Sequence, residues 1–193
     1  MRTEIPVSVP DGELGEWKVS TFTVTEEEAK FQNMRAMISN SARFIEPGTY
    51  KRLTKNGEVI MSNTPVEIMD LDPLFYEVKW NEPKTILLAG LGLGVALTGL
   101  LDFDFIERID VVEIEPDVIE LVGKHYDDPR VTIICADIFD FKPSTKYDVI
   151  WFDIWPSICS DNLDDIKKLF DKFRPYCKWQ GAWALNELIK EEF

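Results

Sequence analysis

The second half of the chain alternates between short runs that are apolar on both faces and longer stretches with helical spacing. Residues 85–89 (TILLA), 109–114 (IDVVEI), 131–136 (VTIICA), 147–152 (YDVIWF) and 181–185 (GAWAL) read as strands. Between them, residues 95–101, 116–125 and 163–173 read as helices. The last of these puts Leu163, Ile166, Leu169, Phe170 and Phe173 on one face. Strands that are apolar on both sides and joined by helices belong to a parallel sheet covered on both faces.

The first half has a different texture. Residues 17–24 (WKVSTFTV) alternate as a strand does. Thr25 and Glu28 are spaced as a capping box that opens a helix running to about residue 40. Segments 50–53 and 58–61 flank Asn56-Gly57, a pair that tolerates the positive φ of a tight hairpin turn. Thr64-Pro65 opens another helix, which Asp72-Pro73 interrupts or kinks. The division expected is an N-terminal hairpin-and-helix extension over residues 1–82 and a nucleotide-binding domain over 83–193.

The 193 residues suffice for one well-packed core, and 45% of them are hydrophobic. The formal charge of −14 opposes a phosphate backbone, so nucleic acid is not an expected partner. The nearest approach to a basic patch is Lys51, Arg52 and Lys55. Acidity suits a cationic substrate such as an amine, and it equally suits an ordinary surface. Cys135, Cys159 and Cys177 match no zinc spacing and no disulfide framework. Cys135, within an apolar run, is expected to be buried, and His125 to be a helix-end residue. No metal site is expected. No basic segment leads into an apolar stretch, and no apolar run approaches the ~18 residues of a membrane span. A cytoplasmic protein without membrane contact is expected.

Chemistry concentrates where strands end. Gly90-Leu91-Gly92-Leu93-Gly94 follows the first apolar strand and precedes a helix, and its glycines allow a sharp turn and close approach of a ligand. The next strand ends in Glu113-Ile114-Glu115, roughly 20 residues on, where a carboxylate can accept both hydroxyls of a ribose. Glu113 is the first choice for that role and Glu115 the second, with Glu115 also placed to cap the following helix. The G-x-G-x-G spacing is not the G-x-G-x-x-G of a dinucleotide site, and it fits S-adenosylmethionine better. Asp137 closes the third strand, where it can accept from an adenine amino group between Ile114 and Ile138, or form a turn. Asp153 closes the fourth strand, which lies beside the first, and so faces the reacting end of such a ligand, or again forms a turn. Trp155 has two readings, a stacking surface for a planar or cationic substrate and a core residue at a loop root.

ILLAGLGLGV (86–95), VVEIEPDVIELV (111–122), DPRVTIICADIFDF (128–141) and YDVIWFDIWP (147–156) together resemble the class I S-adenosylmethionine-dependent methyltransferases, in their spermidine synthase-like branch. Lys55-Asn56-Gly57 and Ser62-Asn63-Thr64-Pro65 resemble the β-rich lead-in of that branch. The resemblance covers most of the chain from about residue 50. It implies an α/β, Rossmann-like doubly wound sheet of order 3-2-1-4-5, here without the terminal hairpin of strands 6 and 7. It implies that Gly90, Gly92 and Gly94 line the methionine and ribose portion, that Glu113 binds the ribose, and that Asp137 contacts adenine. Asp153 matches the first aspartate of the D-S-x-D-P segment of aminopropyltransferases.

Two departures bear on function. Aminopropyltransferases carry an aspartate where this chain has Gly92, and their second D-S-x-D-P aspartate falls at Pro156. The expectation is therefore a methyltransferase acting on a small-molecule acceptor, with Asp153 orienting the acceptor or taking up its proton. A non-catalytic binder of the same ligand and a divergent aminopropyltransferase are the alternatives. A homodimer is left open.

Overall fold

Asn56 and Gly57, with φ of 52° and 84°, reverse the chain between two strands of an antiparallel sheet, as their sequence requires. The computed structural model describes residues 3–38, 43–157, 159, 161–183 and 185. The sheet contains β1 (Gly12–Leu14), β2 (Trp17–Val24), β3 (Gly48–Lys55) and β4 (Glu58–Ser62), hydrogen-bonded in that order. Helix α1 (Glu26–Ile38) leaves β2 through the expected capping box. The Glu28 carboxylate accepts from the Thr25 backbone N–H at 2.8 Å, and the Glu28 N–H donates to Thr25 Oγ1 at 3.2 Å. The helical reading of residues 39 and 40 lies outside the described residues. Helices α2 (Pro65–Met69) and α3 (Asp72–Asn81) follow β4, each with proline in its first turn.

The second sheet is parallel. Strands β5 (Thr85–Ala89), β6 (Arg108–Glu113), β7 (Val131–Cys135), β8 (Tyr147–Phe152) and β9 (Cys177–Ala182) lie in the order β7-β6-β5-β8-β9. Read along the domain, this is the expected 3-2-1-4-5. Helices α4 (Val95–Leu101), α5 (Pro116–Leu121) and α6 (Asp161–Phe173) make the crossovers, and a 3-10 turn over Gly123–His125 ends in the exposed His125. Ile166, Leu169 and Phe173 of α6 are at most 3% exposed, which is worth about 1.5–3 kcal/mol each relative to leaving them in water.

Three readings need correction. The last strand begins at Cys177, four positions before the expected start at 181, and Leu185 is not part of it. Trp179 pairs with Val149 and stacks on Trp151 at 6.4 Å, so an edge strand that is only partly buried over its first four residues forms where the sequence shows no continuous apolar run. Cys135 is exposed, because it ends the edge strand β7, whose pairing is with β6 on one side. Strand β1 was not expected at all.

One apolar cluster runs beneath both sheets. It joins Val7, Trp17 and Leu53 of the N-terminal region to Ile86, Leu97 and Val118 of the parallel sheet. The antiparallel sheet is thereby held over the carboxyl ends of the parallel strands. Among the described residues no helix is long and apolar enough to cross a membrane.

Candidate functional site

A cavity of about 400 Å³ opens at the carboxyl ends of β5, β6 and β8, where doubly wound sheets bind their ligands. Its floor comes from the strand ends and the loops after them. Its other wall comes from Trp17, Leu53, Lys55 and Met61 of the antiparallel sheet and Glu67 of α2. The volume is in the range of small-molecule sites.

Glu113 is 7% exposed and organises one end. Its Oε2 accepts from the Leu91 N–H at 2.8 Å and its Oε1 from the Glu115 N–H at 2.9 Å. The carboxylate thus ties the glycine loop to the end of β6. Each oxygen keeps lone-pair capacity for a further donor. Glu115 makes no side-chain cap to α5, and its carboxylate instead accepts from Lys55 Nζ at 2.7 Å. Lys55 also stands 4.9 Å above the Trp17 ring. This ion pair latches the antiparallel sheet to the loop after β6. Lys51 pairs with Asp11 and Arg52 bonds Ser20, so each of the three cations nearest to forming a basic patch has a protein partner.

Asp137, Ile138 and Phe139 line the same end. Asp137 Oδ1 accepts from the Phe139 N–H at 2.8 Å, so this aspartate forms a turn and also faces the cavity. Ile114 is 57% exposed at the mouth while Ile138 is 4% exposed. Lys172 of α6 donates to the Ile138 carbonyl at 3.1 Å and the Phe139 carbonyl at 2.6 Å, fixing that loop.

The glycines divide. Gly90 and Gly92 line the cavity. A Cβ on Gly90, which has φ of 98°, would strike the backbone carbonyl of Asp153, so the loop can close onto the end of β8 only with glycine there. A Cβ on Gly92 would lie 2.8 Å from Met61 Sδ. Gly94 is off the cavity wall, contrary to expectation: the Tyr126 hydroxyl covers it and donates to its carbonyl at 3.0 Å.

The other end is acidic. Asp153 and Glu67 both line the cavity, and the Ser62 backbone N–H and hydroxyl both donate to Glu67. Desolvation, reinforced by the charges of Asp70 and Glu67, pushes the Asp153 carboxyl up to about 7. Burial likewise raises Glu67. Asp70 receives both terminal nitrogens of Arg43, at 3.0 and 2.9 Å, and the Trp183 indole N–H at 3.3 Å. Trp155 is half-buried, lines the cavity and also packs against the core beneath β8, so both of its readings describe part of its position.

No protein-family model matches the chain. Putrescine N-methyltransferase 2 of Nicotiana tabacum is 33% identical over 100 residues, covering 47% of this chain and 27% of that enzyme. A polyamine aminopropyltransferase of Sulfurisphaera tokodaii is 25% identical over 174 residues, covering 82% of this chain and 55% of that enzyme. Spermidine synthase from Thermotoga maritima superposes with a TM-score of 0.52 at 19% identity, over 90% of this chain and 55% of that one. The chain is thus similar in sequence to putrescine N-methyltransferases and polyamine aminopropyltransferases, and it shares its fold with spermidine synthase. It spans about a quarter of the length of the putrescine N-methyltransferases it matches and about half of the aminopropyltransferase.

The acidic end of this cavity does not keep the D-S-x-D-P pattern. Pro156 occupies the second aspartate's position, and a carboxylate arrives instead from α2, as Glu67. Sequence reasoning missed Glu67, Met61, Lys55 and Trp17 as site residues. Glu67 had one available signal, its place just after the quoted Ser62-Asn63-Thr64-Pro65 block. The others reach the site only because the two sheets pack together.

Proposed function

We propose that this chain is an S-adenosylmethionine-dependent methyltransferase of a small-molecule acceptor, and that the acceptor is a cationic amine. The observation that carries this reading is the polarity of one cavity. A strand-end carboxylate and an apolar slot stand at one end, and two desolvated carboxylates, Asp153 and Glu67, stand at the other.

The residues present fit the donor. Glu113 has acceptor capacity left for ribose hydroxyls, and Ile114, Ile138 and Asp137 line the cavity beside it, where a planar base would lie. Bound there, S-adenosylmethionine supplies a methyl group already activated on a sulfonium. The chain's own part is then to hold and align the acceptor and to exclude water. Glu67 attracts an ammonium into the acidic end. Asp153, poised near neutrality, accepts the proton that the nitrogen must lose before its lone pair can attack. Trp155 offers its ring face to the cation.

Incubation with methyl-labelled S-adenosylmethionine and a panel of mono- and diamines tests the proposal. Labelled N-methylamine is expected, and Asp153→Asn should reduce its formation about 100-fold or more. S-adenosylhomocysteine binding without turnover of any amine would overturn catalysis in favour of a binding protein. Aminopropyl transfer from the decarboxylated donor would favour the aminopropyltransferase alternative.

A further inference from the structure

Helix α1 holds most of its apolar side chains in water. Its buried residue is Ala29, and Asn33, on the same side, exchanges hydrogen bonds of 2.8 and 2.9 Å with the Ile45 backbone. The opposite face carries Phe31, Met34 and Ile38 at the i, i+3, i+7 spacing of a helix-packing stripe, with Met37 beside them. In sequence order the four are 58%, 53%, 71% and 79% exposed. A helix of 13 residues draws most of its stability from packing an apolar face, and here that face points to solvent.

The charges along the helix identify a second copy of this chain as the cover. Glu26, Glu27 and Glu28 fill the first turn, and Arg35 stands in the last. Two such helices packed antiparallel about a twofold axis bring each acidic turn to the other's basic turn, alike at both ends, and align their dipoles favourably. A parallel pair would set like charges together. Arg35 lies over the Phe31 ring at 6.0 Å, so the cation stands at the edge of the apolar stripe, where the rim of an interface is polar. A lipid surface suits this face less, because the acidic turn and the net charge of −14 oppose anionic headgroups.

We propose that this protein self-associates through α1 as an antiparallel twofold pair, with the apolar stripe at the centre and the acidic first turn facing Arg35 at each rim. One helix face makes a small interface, so the pair forms reversibly, with a dissociation constant of about 10–100 µM.

Sedimentation velocity on the full chain at low salt, from about 1 to 300 µM, reads the association. Met34→Glu places two charges in one interface by symmetry and should raise the dissociation constant about 100-fold or more. Because Met34 is exposed in the single chain, the dilute variant should melt within about 3 °C of the parent. Arg35→Ala should weaken the pair about 3–10-fold at low salt and remove most of its salt dependence. Tyr76→Glu, at an exposed position of α3, should leave association within about 2-fold. A chain that stays monomeric at about 300 µM, or a Met34→Glu variant that associates as the parent does, would overturn the proposal and leave the face to another partner. A pair tightened by Arg35→Ala would overturn the antiparallel arrangement, and a pair broken by Tyr76→Glu would overturn α1 as the interface.

Discussion

Replacing Glu113 by glutamine exchanges one carboxylate oxygen for an NH₂ group. In the folded chain both oxygens face backbone donors, Leu91 N–H at 2.8 Å and Glu115 N–H at 2.9 Å. The amide oxygen can satisfy one of them, and its NH₂ then opposes the other. One buried N–H loses its acceptor at a cost of about 1–3 kcal/mol. For a chain of 193 residues this lowers Tm by roughly 2–10 °C. The same change removes the charge that would bind ribose hydroxyls, worth about 1.5–3 kcal/mol, or roughly 10–100-fold in affinity for S-adenosylhomocysteine. Thermal unfolding without ligand reads the first effect, and calorimetric titration of the folded variant reads the second. A variant that melts normally and binds normally would refute the reasoning on both counts. A lowered Tm with unchanged affinity would leave Glu113 as a brace of the glycine loop and remove it from the ligand site.

The carboxyl of Asp153, ordinarily near 3.8, is raised to about 7 in the folded chain. Between those values the folded state holds a proton that the unfolded state has released, so this group's contribution to stability is present below about pH 4 and lost as pH rises through about 7. Its activity should run the opposite way, with kcat/KM for methyl transfer rising through about pH 7 as the base ionises; a flat profile from pH 5 to 8 would remove Asp153 as the base. Gly90→Ala should lower Tm by more than about 5 °C, since a side chain at φ of 98° meets the Asp153 carbonyl as well as its own backbone strain, and a normal melting curve would contradict that packing.

What the sequence made legible follows the physics of each element. The inner strands β5, β6 and β8 are buried on both faces, so their apolar runs announce them, and the carboxyl ends of β6 and β8 carry Glu113 and Asp153, which reach the cavity. Edge strands carry a weaker signal: none of Cys177-Lys178-Trp179-Gln180 is fully buried, and the exposed Cys135 ends a run that reads as core. The glycine loop was legible as a turn. That its missing side chains also admit the Asp153 carbonyl, Met61 and Tyr126 was not, because those neighbours come from segments dozens of residues away. The second acidic group of the site, Glu67, enters the same way, through the docking of one sheet on the ends of the other.

A crystal structure grown with S-adenosylhomocysteine bears most directly on the whole account. The nucleoside should lie between Ile114 and Ile138 with its ribose hydroxyls on Glu113, and its sulfur should point toward Asp153. A compound bound elsewhere, or a cleft filled by Met61 and its neighbours at saturating concentration, would contradict it.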